Sequence, residues 1–201
     1  MASAPAAAAS SQRSRRRRDP YNPRVTRSAP GVSARRVAYL VLSLAVLGLD
    51  LGTKALVNAR IPLHETIRII PGFFDLTHVR NTGAAFGLFN DSSLPGRTAI
   101  LTAVALLVFL GVVVYALRTP VRDTVLQVAL ALISGGAVGN LVDRIRFASV
   151  TDFLRFYIGA HEWPSFNVAD SAITAGVLLL AWDVFRRPDE ERASSTGSAA
   201  A

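Results

Sequence analysis

Three aspartates stand close together in one stretch of the chain, GGAVGNLVDRIRFASVTDFLRFYIGAHEWPSFNVADSAI at residues 135–173. Asp143 closes an apolar segment, Asp152 lies in a short β-like run, and Asp170 opens the next apolar segment. Ionisable side chains at the ends of membrane-length segments are expensive to keep, which makes them functional candidates. Two carboxyls held a few ångströms apart cannot both ionise, so they share a proton. One then acts as base on a water while the other donates to a carbonyl oxygen.

Other chemistries fit less well. Cysteine is absent, which removes a thiol nucleophile, a disulfide framework and a cysteine-ligated metal. His64-Glu65 and His161-Glu162 lack the second histidine of a zinc-protease helix, so no metal ligand set is expected. Lys54, the only lysine, has no serine at a persuasive spacing to activate. Aspartic-type peptide hydrolysis and proton relay in a small proton-coupled transporter both remain open on spacing alone.

Other polar residues accompany the aspartates. Asn140, Asp143 and Arg144 fall at i, i+3 and i+4, one face of a helix. Asp143 beside Arg144 invites an ion pair, with Arg144 otherwise free to hold a peptide carbonyl or a lipid head group. Asn167 and Asp170 are three apart after Pro164, where a helix dipole favours negative charge. Asp50 and Lys54, four apart, read as a structural ion pair. Gly48/Gly52 and Gly135/Gly139 would let helices approach closely. Asn81 begins NTGAAFG, whose small residues suit either a packing turn or a substrate-facing loop. Without a following lysine, that run is no phosphate loop.

The elements that must position these residues follow from hydropathy. The chain is 51% hydrophobic and 18% charged, the profile of a small polytopic membrane protein. Apolar segments at Val37–Val57, Thr98–Leu117, Thr124–Val142 and Phe166–Phe185 each approach the roughly 20 residues needed to cross a bilayer. Residues 58–97 and 145–157 carry β-branched and aromatic runs with turn signals. Phe147, Phe153 and Phe156 would supply aromatic surface there. The expected fold is an all-α membrane protein, a four-transmembrane-helix bundle with a small extracytoplasmic β-sheet built from the two outer loops.

Formal net charge is +8, concentrated early: Arg13, Arg15, Arg16, Arg17 and Arg18 form a run relieved only by Asp19. A cytoplasmic anchor obeying the positive-inside rule explains that run better than a nucleic-acid arm, because an apolar span follows directly. No nucleic-acid partner is expected. Four spans then return the carboxyl end to the cytoplasm, with Arg118 and Arg122 on the same side. Arg144, Arg146 and Arg155 fall outside, against the rule, which suggests a local task. The organisation expected is a disordered arginine-rich cytoplasmic tail at 1–36, a four-span domain at 37–187 and a disordered cytoplasmic tail at 188–201.

Five ordered boxes, DLGTK at 50–54, VRNTGAAFG at 79–87, GNLVDR at 139–144, VTDF at 150–153 and FNVADS at 166–171, make the chain closely resemble the bacterial lipoprotein signal peptidases (signal peptidase II). These are four-span aspartic proteases of the inner membrane, and the likeness runs from Val37 to Arg186. Helix geometry alone suggests Asp143 with Asp170; the resemblance instead implies Asp152 and Asp170 as the dyad. It gives Asn81, Asn140, Asp143, Arg144 and Asn167 supporting or substrate-binding places. It implies cleavage of diacylglyceryl-modified prolipoproteins just before the lipidated cysteine, with membrane lipid as surroundings and no metal or organic cofactor. A monomer in the cytoplasmic membrane, with its site at the extracytoplasmic face, is expected. Departures are confined to the arginine-rich tail and loop details.

Overall fold

Among the described residues, four helices are long and apolar enough to cross a membrane. The computed structural model describes residues 31–83 and 96–186. In order they form α1 (Val32–Arg60), β1 (Thr66–Ile70), β2 (Phe74–Asn81), α2 (Arg97–Arg118), α3 (Thr124–Phe147), β3 (Val150–Ile158), β4 (His161–Glu162) and α4 (Val168–Arg186). Residues 84–87 of the NTGAAFG run, and most of both expected tails, lie outside the described residues. The first helix begins at Val32, so 32–36 are helical rather than part of a tail.

Helix α3 is central, and α1, α2 and α4 all pack on it. It buries side chains along its whole length, from Leu126 to Asp143. The other helices turn large apolar residues outward, such as Leu44, Leu107 and Leu178, as a lipid-facing surface requires. The expected glycine contacts divide. Added Cβ atoms at Gly48 and Gly52 would meet nothing within 4 Å, whereas one at Gly135 would meet the Ser43 carbonyl oxygen at 2.5 Å. Close approach therefore depends on the glycines of α3, because α1 points Gly48 and Gly52 away from its neighbours.

Helix α3 also runs further than its apolar stretch. Residues 145–147, expected to be extended, form its last turn, where Arg144 and Arg146 suit the negative end of the helix dipole. Ala148 ends it in the left-handed region at φ 55°, its N–H donating to the Arg144 carbonyl at 3.0 Å. The chain then enters β3.

The strands form an antiparallel sheet in the order β1-β2-β3-β4. One hairpin comes from the α1–α2 connection and the other from the α3–α4 connection. On β2 and β3, Val79 pairs with Asp152, Arg80 with Thr151 and Asn81 with Val150, after an irregularity between Leu76 and Val79. Phe153, expected at the surface, is buried with Val57 and Ile61. That cluster fastens the sheet to the end of α1, and apolar burial of this kind stabilises by about 25 cal/mol per Å².

Candidate active site at the head of the fourth helix

The amino end of α4 has unpaired N–H groups that need acceptors. Asn167 stands at its cap, accepting the Asp170 N–H on Oδ1 at 2.9 Å, while Asp170 Oδ2 accepts the Asn167 N–H at 3.2 Å. This reciprocal capping box satisfies two donors at once. A third, the Ala169 N–H, donates to Asp50 Oδ1 at 2.9 Å, so α1 closes the head of α4 as well. Gly139 makes that approach possible, since a Cβ there would run into the Asp50 carboxylate.

Asn167 also reaches β3. Its Nδ2 donates to Asp152 Oδ1 at 2.7 Å, and Asn81 Nδ2 donates to Asp152 Oδ2 at 3.0 Å. Alternation explains the second bond: Val79 and Asn81 share a face of β2, opposite Asp152 and Val150. The other dyad candidate is held from α3, where Asn140 Nδ2 donates to Asp170 Oδ1 at 2.8 Å. Asp152 and Asp170 thus both accept from Asn167, and the Asp170 charge acts on Asp152. Burial, with the Asp170 charge second, pushes the Asp152 carboxyl from 3.8 up to about 7.

Lys54 is only 2% exposed and is more than half of an isolated pair. Its Nζ lies 2.7 Å from Asp50 and 3.4 Å from Asp143, and donates to Asn140 Oδ1 at 2.9 Å. Accepting from Lys54 turns the other end of the Asn140 amide, its N–H₂, toward Asp170. The ion pair anticipated between Asp143 and Arg144 gives way to this contact. Asp143 pairs with Lys54 and accepts the Thr151 N–H at 2.9 Å. Arg144 donates to the Gly83 carbonyl at 3.3 Å and feels the charges of Asp170, Asp152 and Asp143.

Two positioning residues, Thr151 and Arg80, lie inside the boxes VTDF and VRNTGAAFG but were not singled out from the sequence. Thr151 is fully buried beside Asp152; its N–H meets Asp143 and its carbonyl accepts from Asn167 at 3.3 Å. Arg80 donates to Thr151 Oγ1 at 3.0 Å and Asn58 Oδ1 at 2.9 Å, with its guanidinium 4.3 Å above the Phe147 ring. The box Asn-x-x-Asp ahead of an apolar run was the legible sign of the α4 cap. Along the sheet, Phe73, Phe156, Trp163 and Phe166 frame an apolar cavity of about 450 Å³.

Residues 42–186 match the family described as Signal peptidase (SPase) II. The chain belongs to the signal peptidase II family. It is accordingly a protease with membrane-length helices. Among curated signal peptidase II relatives, the lipoprotein signal peptidase of Desulforapulum autotrophicum is 48% identical over 74% of this chain and 91% of its own length. That of Syntrophus aciditrophicus is 43% identical over 77% of this chain and 96% of its own. A bacterial membrane enzyme solved by the in meso method at 1.9 Å resolution superposes with a TM-score of 0.67 at 27% identity, covering 75% of this chain and 94% of that one.

Proposed function

We propose that the chain is an endopeptidase that removes signal peptides from diacylglyceryl-modified prolipoproteins, cutting before the lipidated cysteine with Asp152 and Asp170 as its dyad. The observation that carries this reading is the single residue Asn167, which donates to both carboxyls at the head of α4. Family membership and relatives named for lipoprotein processing support the substrate class and leave the transporter reading without support.

In the proposed reaction Asp170 carries the negative charge, placed in the first turn of α4 where the helix dipole favours it. Asp152, pushed up to about 7, holds the shared proton in the reactive form of the pair. Water attacks the scissile carbonyl carbon and gives its proton to Asp170, while Asp152 protonates the carbonyl oxygen. The tetrahedral diol collapses as the C–N bond breaks. Its hydroxyl proton returns to Asp152, and Asp170 passes the water-derived proton to the leaving amine. Asn140 and Asn167 hold the dyad. Asn81 and Arg144 orient the peptide, with Asp143 buttressing β3 through Thr151. Asp50 and Lys54 are the structural pair beneath. The aromatic cavity along the sheet offers an apolar surface to the substrate, and no cofactor takes part.

The charge pattern supports an orientation. Arg35, Arg36, Arg118, Arg122 and Arg186 lie at the end of the bundle opposite the sheet, and with the arginine run that precedes α1 in the sequence they outnumber the arginines at the sheet end, so by the positive-inside rule that end faces the cytoplasm. Both termini are then cytoplasmic, and a monomeric enzyme in the bacterial inner membrane works at its extracytoplasmic face, the sheet lying at that interface.

The test is cleavage of a diacylglyceryl-modified precursor by purified protein. Asp152→Asn and Asp170→Asn should each abolish turnover while retaining the wild-type fold; near-wild-type cleavage by either overturns the dyad. Proton-coupled flux in liposomes without cleavage would overturn the whole reading.

A further inference from the structure

The bundle carries a second concavity, at the end opposite the dyad. Helices α1 and α2 both rest on α3, and between them runs a furrow of about 490 Å³. Leu47 and Val138 line its inner end, Phe109 and Leu117 its α2 wall, and Arg36 its mouth. Other polar groups at the mouth are occupied: the Tyr39 hydroxyl donates to the Val121 carbonyl at 3.2 Å, and Gln127 Nε2 donates to the carbonyls of Ala116 and Thr119. Tyr39 thereby pins α1 to the α2–α3 turn and gives the mouth a fixed shape. Arg36 itself is exposed. Arg35, Arg118 and Arg122 lie at the same end of the bundle, with Asp123 beside Arg122 and Asp183 paired with Arg186 among the described acids there.

Length points to the occupant. From Arg36 to Leu47 a helix rises roughly 16 Å at 1.5 Å per residue, about half of the ~30 Å hydrocarbon core. The furrow therefore begins at a basic surface and ends near mid-bilayer, the span of one acyl chain. We infer that it binds an anionic glycerophospholipid of the leaflet opposite the active site, acyl chain along the furrow and phosphate against Arg36. On the proposed orientation this is the cytoplasmic leaflet, where basic residues attract acidic lipids. The inference needs only that the helices span a bilayer, so it stands or falls independently of the proposed reaction.

Native mass spectrometry of the delipidated full chain in detergent tests it, with dioleoylphosphatidylglycerol, dioleoylphosphatidylcholine or inorganic phosphate added and thermal midpoints read in parallel. One phosphatidylglycerol per chain should be retained in preference to phosphatidylcholine, and phosphate alone should leave the midpoint unmoved. Arg36→Gln should lower phosphatidylglycerol retention about fivefold, the effect of one basic residue at an anionic surface, without changing phosphatidylcholine. Ser134→Phe, which fills the furrow, should reduce retention of both lipids. Equal retention of the two lipids by the wild type, or a midpoint shift with phosphate alone, overturns the site. So does wild-type retention by Arg36→Gln, whose exposed position keeps the test decisive if Ser134→Phe misfolds.

Discussion

Asn167 and Asp170 cap one another: the Asn167 carbonyl oxygen Oδ1 accepts the Asp170 N–H at 2.9 Å, and the Asp170 carboxylate accepts the Asn167 N–H at 3.2 Å. The same asparagine holds Asp152 at 2.7 Å through its amide N–H. Helix capping and the geometry of the proposed dyad are thus joined in one side chain, and substitutions that separate the two functions are informative.

Asn167→Ser keeps a capping oxygen but loses the donor to Asp152, whereas Asn167→Ala loses both. The alanine variant should lose about 1–2 kcal/mol of stability through the cap, the serine variant distinctly less. Both should lower kcat by about a hundredfold or more, as loss of a preorganised donor does elsewhere. Unfolding in detergent and cleavage kinetics, measured side by side, check the split.

The Asp152 carboxyl is raised from 3.8 to about 7, so the folded state binds its proton more tightly than the unfolded chain. Its contribution to stability is present below about 3.8 and is lost as pH rises toward and through about 7. Asp152→Asn should flatten this dependence and raise the thermal midpoint at pH 8 relative to wild type. Wild-type kcat/KM should fall on the alkaline side of about 7 as the proposed dyad gives up its shared proton. Thermal unfolding and cleavage rates across pH read both effects.

Lys54 contacts Asp50, Asp143 and Asn140. Lys54→Met would leave two buried carboxylates without their cation and should destabilise by about 3–5 kcal/mol. The double variant Lys54→Met/Asp50→Asn should recover part of that loss, measured by unfolding in detergent.

Gly139→Ala would drive a methyl into the Asp50 carboxylate, which in turn holds the Ala169 N–H. Overpacking of this kind costs about 1–3 kcal/mol, and activity should fall with it. Gly48→Ala meets nothing within 4 Å and should be neutral or stabilising, because alanine suits a helix better than glycine. Paired melting curves of the two variants distinguish them.

The amino-acid sequence by itself determined the four apolar segments, the family boxes and the short set of residues able to do acid–base chemistry. Hydropathy and motif spacing are local properties, legible without a fold. Tertiary structure decided how those residues meet. Asn81 reaches Asp152 through the β2–β3 register after the irregularity at Leu76. Lys54 meets Asn140 across the α1–α3 interface, so Asp50 and Lys54 read as a closed pair when only their spacing was visible. Spacing likewise made the two glycine pairs look equivalent, although only those of α3 face a neighbour. Asp143, adjacent to Arg144 in the chain, turns instead to Lys54 and Thr151. The physical reason is common to all four. A helix or strand repeat states which residues share a face, but which face meets which neighbour depends on packing between segments far apart in the chain.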